Sequence, residues 1–280
     1  MSNSSAAAVA KQAETYYDSP SADEFYRVIW GGEDIHVGIY VPEDRDIAEA
    51  SRETVIRMAK KLPALGPATK VLDIGAGYGG SARFLASTYG CHVTCLNISE
   101  IQNDYNRKLT KDAGLDHLID VKYGNFEDLP EDDESYDVVW CQDAILHSAR
   151  REQVVAEAAR VLKPGGLMIF TDPMQADGTP QDVLQPILKR LDLPSLASPG
   201  FYRETFANLG FKELEFDELT RQLRNHYHNV GVALRARYDE MERMGFKDYV
   251  DAMLTGLYNW VNGADKGHLA WGIMLFEKPR

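Results

Sequence analysis

The sequence predicts an α/β fold, in which a mostly parallel seven-stranded sheet carries helices on both faces. Apolar strand-like runs alternate with amphipathic helical segments from residue 70 to residue 173, a pattern typical of parallel sheets with crossover helices. A glycine-rich loop follows the first of these runs, at the point where open sheets of this class bind their ligands. The chain has 280 residues, of which 44% are hydrophobic, so it can bury the core that this fold requires.

The order of the elements follows from hydrophobic periodicity and from residues that begin or end helices. Apolar residues recur at helical spacing as far as Leu62, and Pro63 and Gly66 then end the first predicted helix. Ser99 is a favourable N-cap for a later helix. The predicted elements are helix 46–62, strand 70–74, helix 79–88, strand 92–98, helix 99–114, strands 117–125 and 136–142, helix 151–162, strands 167–173 and 210–219, helices 220–244 and 247–262, and strand 269–279.

The chain is predicted to form a single domain, residues 1–280, with four parts. An N-terminal helical or lid region (1–68) precedes a ligand-binding core (69–174). Four prolines interrupt the next segment, so 175–210 is predicted to be a helical cap insertion over the carboxyl ends of the strands. Strands and helices at 211–280 complete the domain.

Charge and composition exclude several classes of partner. A net charge of −13 should repel phosphate backbones, so we expect no nucleic-acid partner. No apolar run reaches the roughly 18–20 residues of a membrane span. Residues 1–12 lack the apolar centre of a secretory signal, and we therefore expect a cytoplasmic protein, either a monomer or a small homo-oligomer. Cys91, Cys95 and Cys141 have neither disulfide-framework nor zinc spacing and should be buried free thiols.

The glycine loop fits two kinds of ligand. Gly75, Gly77 and Gly80 satisfy the G-x-G-x-x-G pattern of dinucleotide sites, where glycines allow close backbone approach and a helix N-terminus faces the ligand. Asp73 argues against a nicotinamide dinucleotide, because a carboxylate would serve a pyrophosphate poorly. Asn97 also argues against it, since that strand end should then be acidic. A tight turn that binds no ligand is the remaining alternative.

The pattern Asp-x-Gly-x-Gly-x-Gly at 73–79 resembles motif I of the class I S-adenosylmethionine-dependent methyltransferases, and LKPGG at 162–166 is another feature of that superfamily. The resemblance implies a Rossmann-like fold with S-adenosyl-L-methionine as cofactor, S-adenosyl-L-homocysteine as product and no metal. The cofactor-binding residues that it implies are Asp73, Gly75, Ala76, Gly77, Asn97, Ile98, Gln102, Asn125, Phe126 and Gln142.

Two further segments resemble the small-molecule branch of the superfamily: IHVGIY at 35–40 and QDAILHS at 142–148. The full pattern is most similar to the sarcosine/dimethylglycine N-methyltransferases, which make the osmoprotectant glycine betaine. The resemblance implies a small-molecule amine acceptor, and the acidic composition suits a salt-tolerant host. Three alternatives stay open: a methyltransferase for another small molecule (phosphoethanolamine-like, sterol-like or an O-methyl acceptor), a non-catalytic cofactor-binding module, and the disfavoured dehydrogenase.

Methyl transfer to an amine depends mainly on holding the two reactants in line. His147 follows the fourth predicted strand, where the acceptor should lie, and it is expected either to orient the acceptor or to accept its proton. A purely structural histidine is the alternative. The predicted catalytic residues are His147, Gln142 and Tyr26.

The acceptor needs a partner for its carboxylate and aromatic surfaces for its cationic product. Arg27, Arg203, Arg221 and Arg224 are candidates for the first, and sequence does not choose among them. Trp260 and Trp271 are further aromatic candidates, although each aromatic can instead belong to the core. His226 and His228 point in different directions on a helix and are not expected to bind a metal. The predicted acceptor-binding residues are Trp30, His36, Tyr40, Asp143, His147 and Tyr227.

Overall fold

The computed structural model describes residues 11, 14, 15, 18, 19, 22, 25–30, 32–189, 191 and 193–280. Seven strands form one sheet in the order β3-β2-β1-β4-β5-β9-β7, and a two-stranded sheet pairs β6 with β8. The strands are β1 (Lys70–Ile74), β2 (His92–Asn97), β3 (Ile119–Tyr123), β4 (Tyr136–Gln142), β5 (Leu162–Thr171), β6 (Met174–Gln175), β7 (Lys212–Glu218), β8 (Leu269–Ala270) and β9 (Gly272–Glu277).

The sheet is mostly parallel, as predicted. Strands β1 to β5 pair in parallel, and β9 runs antiparallel between β5 and β7. The chain moves outward from β1 through β2 to β3 and then returns to place β4 on the other side of β1. This reversal is the switch point at which an open α/β sheet forms a crevice beyond the carboxyl ends of its strands.

Helices cover both faces of the sheet. Side chains alternate along each strand, so Val71 and Trp140 join a core with α1, α2, α7 and α9, whereas Leu72 and Val139 join a core with α4 and α6. The helices are a π-helical turn (Tyr26–Trp30), α1 (Ile47–Lys61), α2 (Gly80–Tyr89), α3 (Glu100–Asp112), a 3-10 turn (Ile145–His147), α4 (Arg151–Val161), α5 (Gln181–Leu188), α6 (Pro199–Asn208), α7 (Thr220–Ala236), α8 (Tyr238–Arg243) and α9 (Lys247–Asp265).

Three predicted elements differ from the observed ones. The predicted helix 220–244 is two helices, because the Arg237 amide bonds to Leu234 and tightens the last turn of α7. The predicted strand 269–279 is interrupted at Trp271, whose amide donates to the Thr220 side chain at 3.0 Å instead of to a ladder. The predicted strand 167–173 begins five residues earlier, because β5 spans Leu162–Thr171.

The segment 175–210 contributes to two layers. Helix α5 packs against α9, where Asn259 donates to the Pro186 carbonyl at 3.1 Å. Helix α6 lies on the sheet, with the Phe206 ring stacked 4.0 Å from the Phe276 ring. Among the described residues, no helix combines the length and apolarity needed to cross a bilayer. All three cysteines are buried and free, which confirms that prediction.

Candidate functional site

A cavity opens at the carboxyl ends of β1, β2 and β4. It therefore lies at the switch point of the sheet. Its lining is formed by Ile35, Gly75, Gly77, Leu96, Asn97, Ile98, Gln102, Gly124, Asn125, Phe126, Glu127, Gln142, Asp143, Ala144 and His147.

The glycine loop is held tightly beneath this cavity. The amides of Gly75 and Ala76 both donate to the Leu96 carbonyl, at 2.8 and 3.2 Å, which ties the loop to the end of β2. Gly75 has a φ of +78°, and a Cβ there would lie 2.5 Å from the Ala144 Cβ. Only glycine adopts this positive φ without strain and avoids the Ala144 side chain, so the loop requires glycine at position 75.

Asp73 is buried near the end of β1 and lies behind the loop rather than on the cavity lining. Burial raises the pKa of its carboxyl to about 8, and the nearby Asp34 carboxylate adds to the rise. An incoming cationic group would favour the ionised form and reverse part of this shift. The site is therefore suited to a ligand that brings a positive charge to the glycine loop.

Residues 33–37, which precede α1, form a wall over the glycine loop. Arg52 pairs with Asp34 at 2.8 Å, and Arg83 pairs with Glu33 at 2.9 Å. These contacts place Ile35 so close to Gly77 that a Cβ on the glycine would lie 3.1 Å from the Ile35 Cδ1. Ile35 was missed from sequence because a lone isoleucine in a loop carries no signal of the surface that it will cover.

At the β2 end of the cavity two amides are paired. Asn97 Nδ2 donates to Gln102 Oε1 at 2.9 Å. The backbone N–H of Gln102 donates to the hydroxyl of Ser99, the N-cap of α3, at 3.1 Å. The pair leaves an amide acceptor on Asn97 and an amide donor on Gln102. A hydroxyl both donates and accepts, so the pair is suited to a ribose.

At the β3 end of the cavity, Asn125, Phe126 and Glu127 form the lining. Asn125 Oδ1 accepts from the Glu127 amide at 2.9 Å, which fixes the turn that presents the aromatic ring. The Glu127 carboxylate is buried and accepts from Ser148 Oγ at 2.6 Å and from Arg150 Nε at 3.0 Å. Glu127 was missed from sequence, since its partners lie on a loop more than twenty residues away.

Gln142 lines the cavity, and its side-chain amide has a fixed orientation. Its Oε1 accepts from Ser81 Oγ at 2.5 Å and from Trp140 Nε1 at 2.9 Å. Because both donors approach the oxygen, the amide orientation is set, and Nε2 finds no acceptor among the described residues. A buried donor without an acceptor costs about 1–3 kcal/mol, so a bound ligand that accepts from Nε2 would remove that cost.

Asp143 connects the wall to the sheet. Its Oδ2 accepts from the Val37 amide at 2.7 Å and its Oδ1 accepts from Trp271 Nε1 at 2.9 Å. Burial raises the pKa of this carboxyl, while His36 and the hydrogen-bond donors oppose the rise. Both oxygens are engaged, so the predicted acceptor-binding residue is arranged to hold the wall in place.

His147 ends the short turn that follows β4 and lines the cavity beside Gln142 and Asp143. The structure therefore brings together ten of the predicted residues on one surface. These ten are Gly75, Gly77, Asn97, Ile98, Gln102, Asn125, Phe126, Gln142, Asp143 and His147.

The other predicted acceptor residues form a separate aromatic cluster. Trp30 lies 4.7 Å from the His226 ring, and Tyr40 Oη lies 2.9 Å from His226 Nδ1. Burial lowers the pKa of His36 to about 4. Five predicted residues are buried away from the cavity lining, so their role in binding stays a prediction. These five are Tyr26, Trp30, His36, Tyr40 and Tyr227.

The candidate arginines are also absent from the described lining. Arg203 pairs with Glu213, Arg221 with Glu43 and Arg224 with Asp265. The Arg27 side chain lies outside the described residues. In the described part of the chain, no three His, Cys, Asp or Glu side chains are grouped as a metal site requires.

Comparison with known proteins gives a consistent result. Residues 72–170 match a family model described as a methyltransferase domain. A sarcosine/dimethylglycine N-methyltransferase of Aphanothece halophytica is 52% identical over 272 residues, which cover 97% of this chain and 98% of the relative. A dimethylglycine N-methyltransferase of Parasynechococcus marenigrum is 46% identical, with 95% of each chain covered.

A solved structure agrees. A Galdieria sulphuraria protein, proposed to be a sarcosine dimethylglycine methyltransferase, superposes with a TM-score of 0.89 at 43% identity. The match covers 94% of this chain and 99% of that one. The similarity thus extends over both the cofactor-side core and the helices that surround it.

Proposed function

This chain belongs to the family of the sarcosine/dimethylglycine N-methyltransferases, and we propose that it methylates sarcosine and dimethylglycine to give glycine betaine, an osmoprotectant. The observation that carries the proposal is the 52% identity over nearly the full length of both chains. The cofactor is S-adenosyl-L-methionine, as for the methyltransferase family as a whole. When bound, it supplies a methyl group activated by a positively charged sulfur.

The residues present fit this cofactor. The glycine loop admits close approach at Gly75, the paired amides of Asn97 and Gln102 suit ribose hydroxyls, and Phe126 offers a ring face to adenine. Asp73 behind the loop provides a carboxyl that would ionise beside the ammonium of the methionine part.

The acceptor would lie at the Gln142–His147 end of the cavity. Gln142 Nε2 is a fixed donor that can bond a carboxylate oxygen of the acceptor, and His147 can orient the amine or accept its proton. Asp143 holds the wall at this end through the Val37 amide, two residues after Ile35. Orientation by these residues would supply much of the rate, because in-line placement is worth several kcal/mol.

The proposal is tested by incubating the protein with methyl-labelled cofactor and, separately, glycine, sarcosine and dimethylglycine. We expect label in dimethylglycine and in betaine, and little or none with glycine. Transfer to neither sarcosine nor dimethylglycine would overturn the proposal. Cofactor binding without turnover on a wide amine and phenol panel would favour a non-catalytic module instead.

A narrower acceptor range is the second candidate, since one similar relative is a dimethylglycine N-methyltransferase. The same assay separates the two. Activity with dimethylglycine and none with sarcosine would indicate a single methylation step. The cytoplasmic location and the oligomeric state, a monomer or a small homo-oligomer, stay predictions.

A further inference from the structure

Two buried charged side chains hold the residue that precedes His147. The Leu146 amide donates to Asp172 Oδ1 at 2.9 Å, and the Leu146 carbonyl accepts from Arg151 Nη2 at 2.9 Å. Leu146 is the middle residue of the turn that carries His147 into the cavity. Both of its backbone polar groups are therefore bonded to side chains from other elements.

Asp172 links this turn to the sheet. It directly follows β5, is fully buried, and accepts from the Tyr202 hydroxyl of α6 at 2.7 Å through its second oxygen. Its position is thus determined by a strand end and by a helix packed on the sheet. Neither oxygen faces the cavity lining, so a direct contact with the cofactor or acceptor is not its role.

Arg151 links the same turn to the segment before α6. It begins α4, and its guanidinium donates to the Ser195 carbonyl at 2.7 Å and to the Ser195 hydroxyl at 3.0 Å. A planar guanidinium that bonds several acceptors has little freedom to shift. The turn is therefore held from two sides by groups that are themselves anchored.

We propose that Asp172 and Arg151 are positioning residues that set the location of His147 relative to the Gln142 end of the cavity. The inference rests on the proposed function for the reaction itself, but the placement of the turn can be measured without it. Loss of either bond would let the turn shift, and a displacement of about 1 Å can cost on the order of 100-fold in rate. Neither residue touches a reacting group in this arrangement.

The primary test compares Asp172→Ala with Asp172→Asn. Asparagine can still accept from the Leu146 amide, and its NH₂ can donate to the Tyr202 oxygen, whereas alanine can do neither. We expect D172A to lower kcat by about 10- to 100-fold with a change under about 3-fold in the Kd of S-adenosyl-L-homocysteine, and D172N to recover most of kcat. Equal kcat in D172A and wild type would overturn the inference.

A matched control accounts for lost stability. Tyr136→Phe removes a partly buried hydroxyl that bonds Thr94 and Glu131 at the start of β4, the opposite end of the strand from the turn. We expect it to lower the melting temperature without changing kcat. If D172A does not fold, Arg151→Met tests the other side of the turn: it retains the aliphatic stem and removes the donor, and we expect a 3- to 10-fold loss of kcat. An unchanged kcat in that variant would also overturn the inference.

A second readout does not require turnover. In the full chain labelled with ¹³C-histidine, the His147 signal is identified as the one missing from His147→Gln. We expect this signal to shift or broaden in D172A and R151M but not in Y136F, both with and without S-adenosyl-L-homocysteine. A wild-type protein that methylates neither acceptor would sink the proposed function, while an unmoved His147 signal in D172A would sink the positioning role.

Discussion

The two ends of the cavity are built differently. The proposed cofactor end is formed by residues at or just after strand ends: the glycine loop after β1, Asn97 at the end of β2 and Asn125 two residues after β3. The acceptor end is assembled from segments far apart in sequence, including Ile35, Asp143 and Trp271. Local motifs therefore determine the first, whereas long-range hydrogen bonds determine the second.

This contrast explains why relatives can share a cofactor and differ in acceptor. Strand ends are placed by the sheet, so residues there can be read from a motif. The proposed acceptor end depends on a wall that Asp143 holds through the Val37 amide and on a turn held by Asp172. Changes at those anchors can reshape the acceptor end while the cofactor end stays intact.

The largest expected effect is at the cofactor end. Gly75→Val places a Cβ 2.5 Å from the Ala144 Cβ and forces a β-branched residue to a φ of +78°. We expect the affinity for S-adenosyl-L-homocysteine to fall by more than about 100-fold, measured by calorimetry. Gly178→Val is the matched control, because Gly178 has a φ of +76° with no atom within 4 Å of a Cβ. Binding by G75V as tight as by G178V would place the cofactor elsewhere.

A smaller effect is expected at the acceptor end. His147→Ala should lower kcat by about 10- to 100-fold and leave the affinity for S-adenosyl-L-homocysteine within about 3-fold of wild type. His228→Ala, on the exposed side of α7, is the control. Recovery of rate at high pH would indicate that His147 accepts a proton, and no recovery would indicate orientation. Unchanged turnover would make His147 a structural residue.

The third effect concerns Asp73 in the ligand-free protein. The folded pKa of the Asp73 carboxyl, about 8, exceeds the ordinary aspartate value of 3.8, so the folded state binds more protons between these values and stability falls as pH rises through them. Asp73→Asn should remove this loss of stability. The melting temperature of the variant, relative to that of wild type, should therefore rise between about pH 5 and pH 8. Its cofactor affinity should fall by about 10-fold, since a charge-assisted bond is lost. Parallel melting curves against pH would contradict the buried, protonated carboxyl.

Residues read correctly from sequence share one property: each is specified by its neighbours along the chain. The alternation of strands and helices, the Ser99 cap and the positive φ of Gly75 are local features, and the structure has all of them. The aromatic residues before α1 are predicted at the acceptor because a cationic product needs aromatic surfaces. In the structure Trp30 and Tyr40 pack around His226, nearly two hundred residues later, and their role in binding stays a prediction.

The amino-acid sequence by itself determined the sheet, its helices and the strand ends where we propose that the cofactor binds, because backbone periodicity and glycine conformations are set over a few residues. Only the tertiary structure decided how the acceptor end is formed. In the folded chain Asp143 accepts hydrogen bonds from Val37 and Trp271, and Glu127 accepts one from Ser148. Asp172 and Arg151 bond the amide and the carbonyl of Leu146. Buried polar groups must find partners, and which partners are within reach is known only when distant segments have packed.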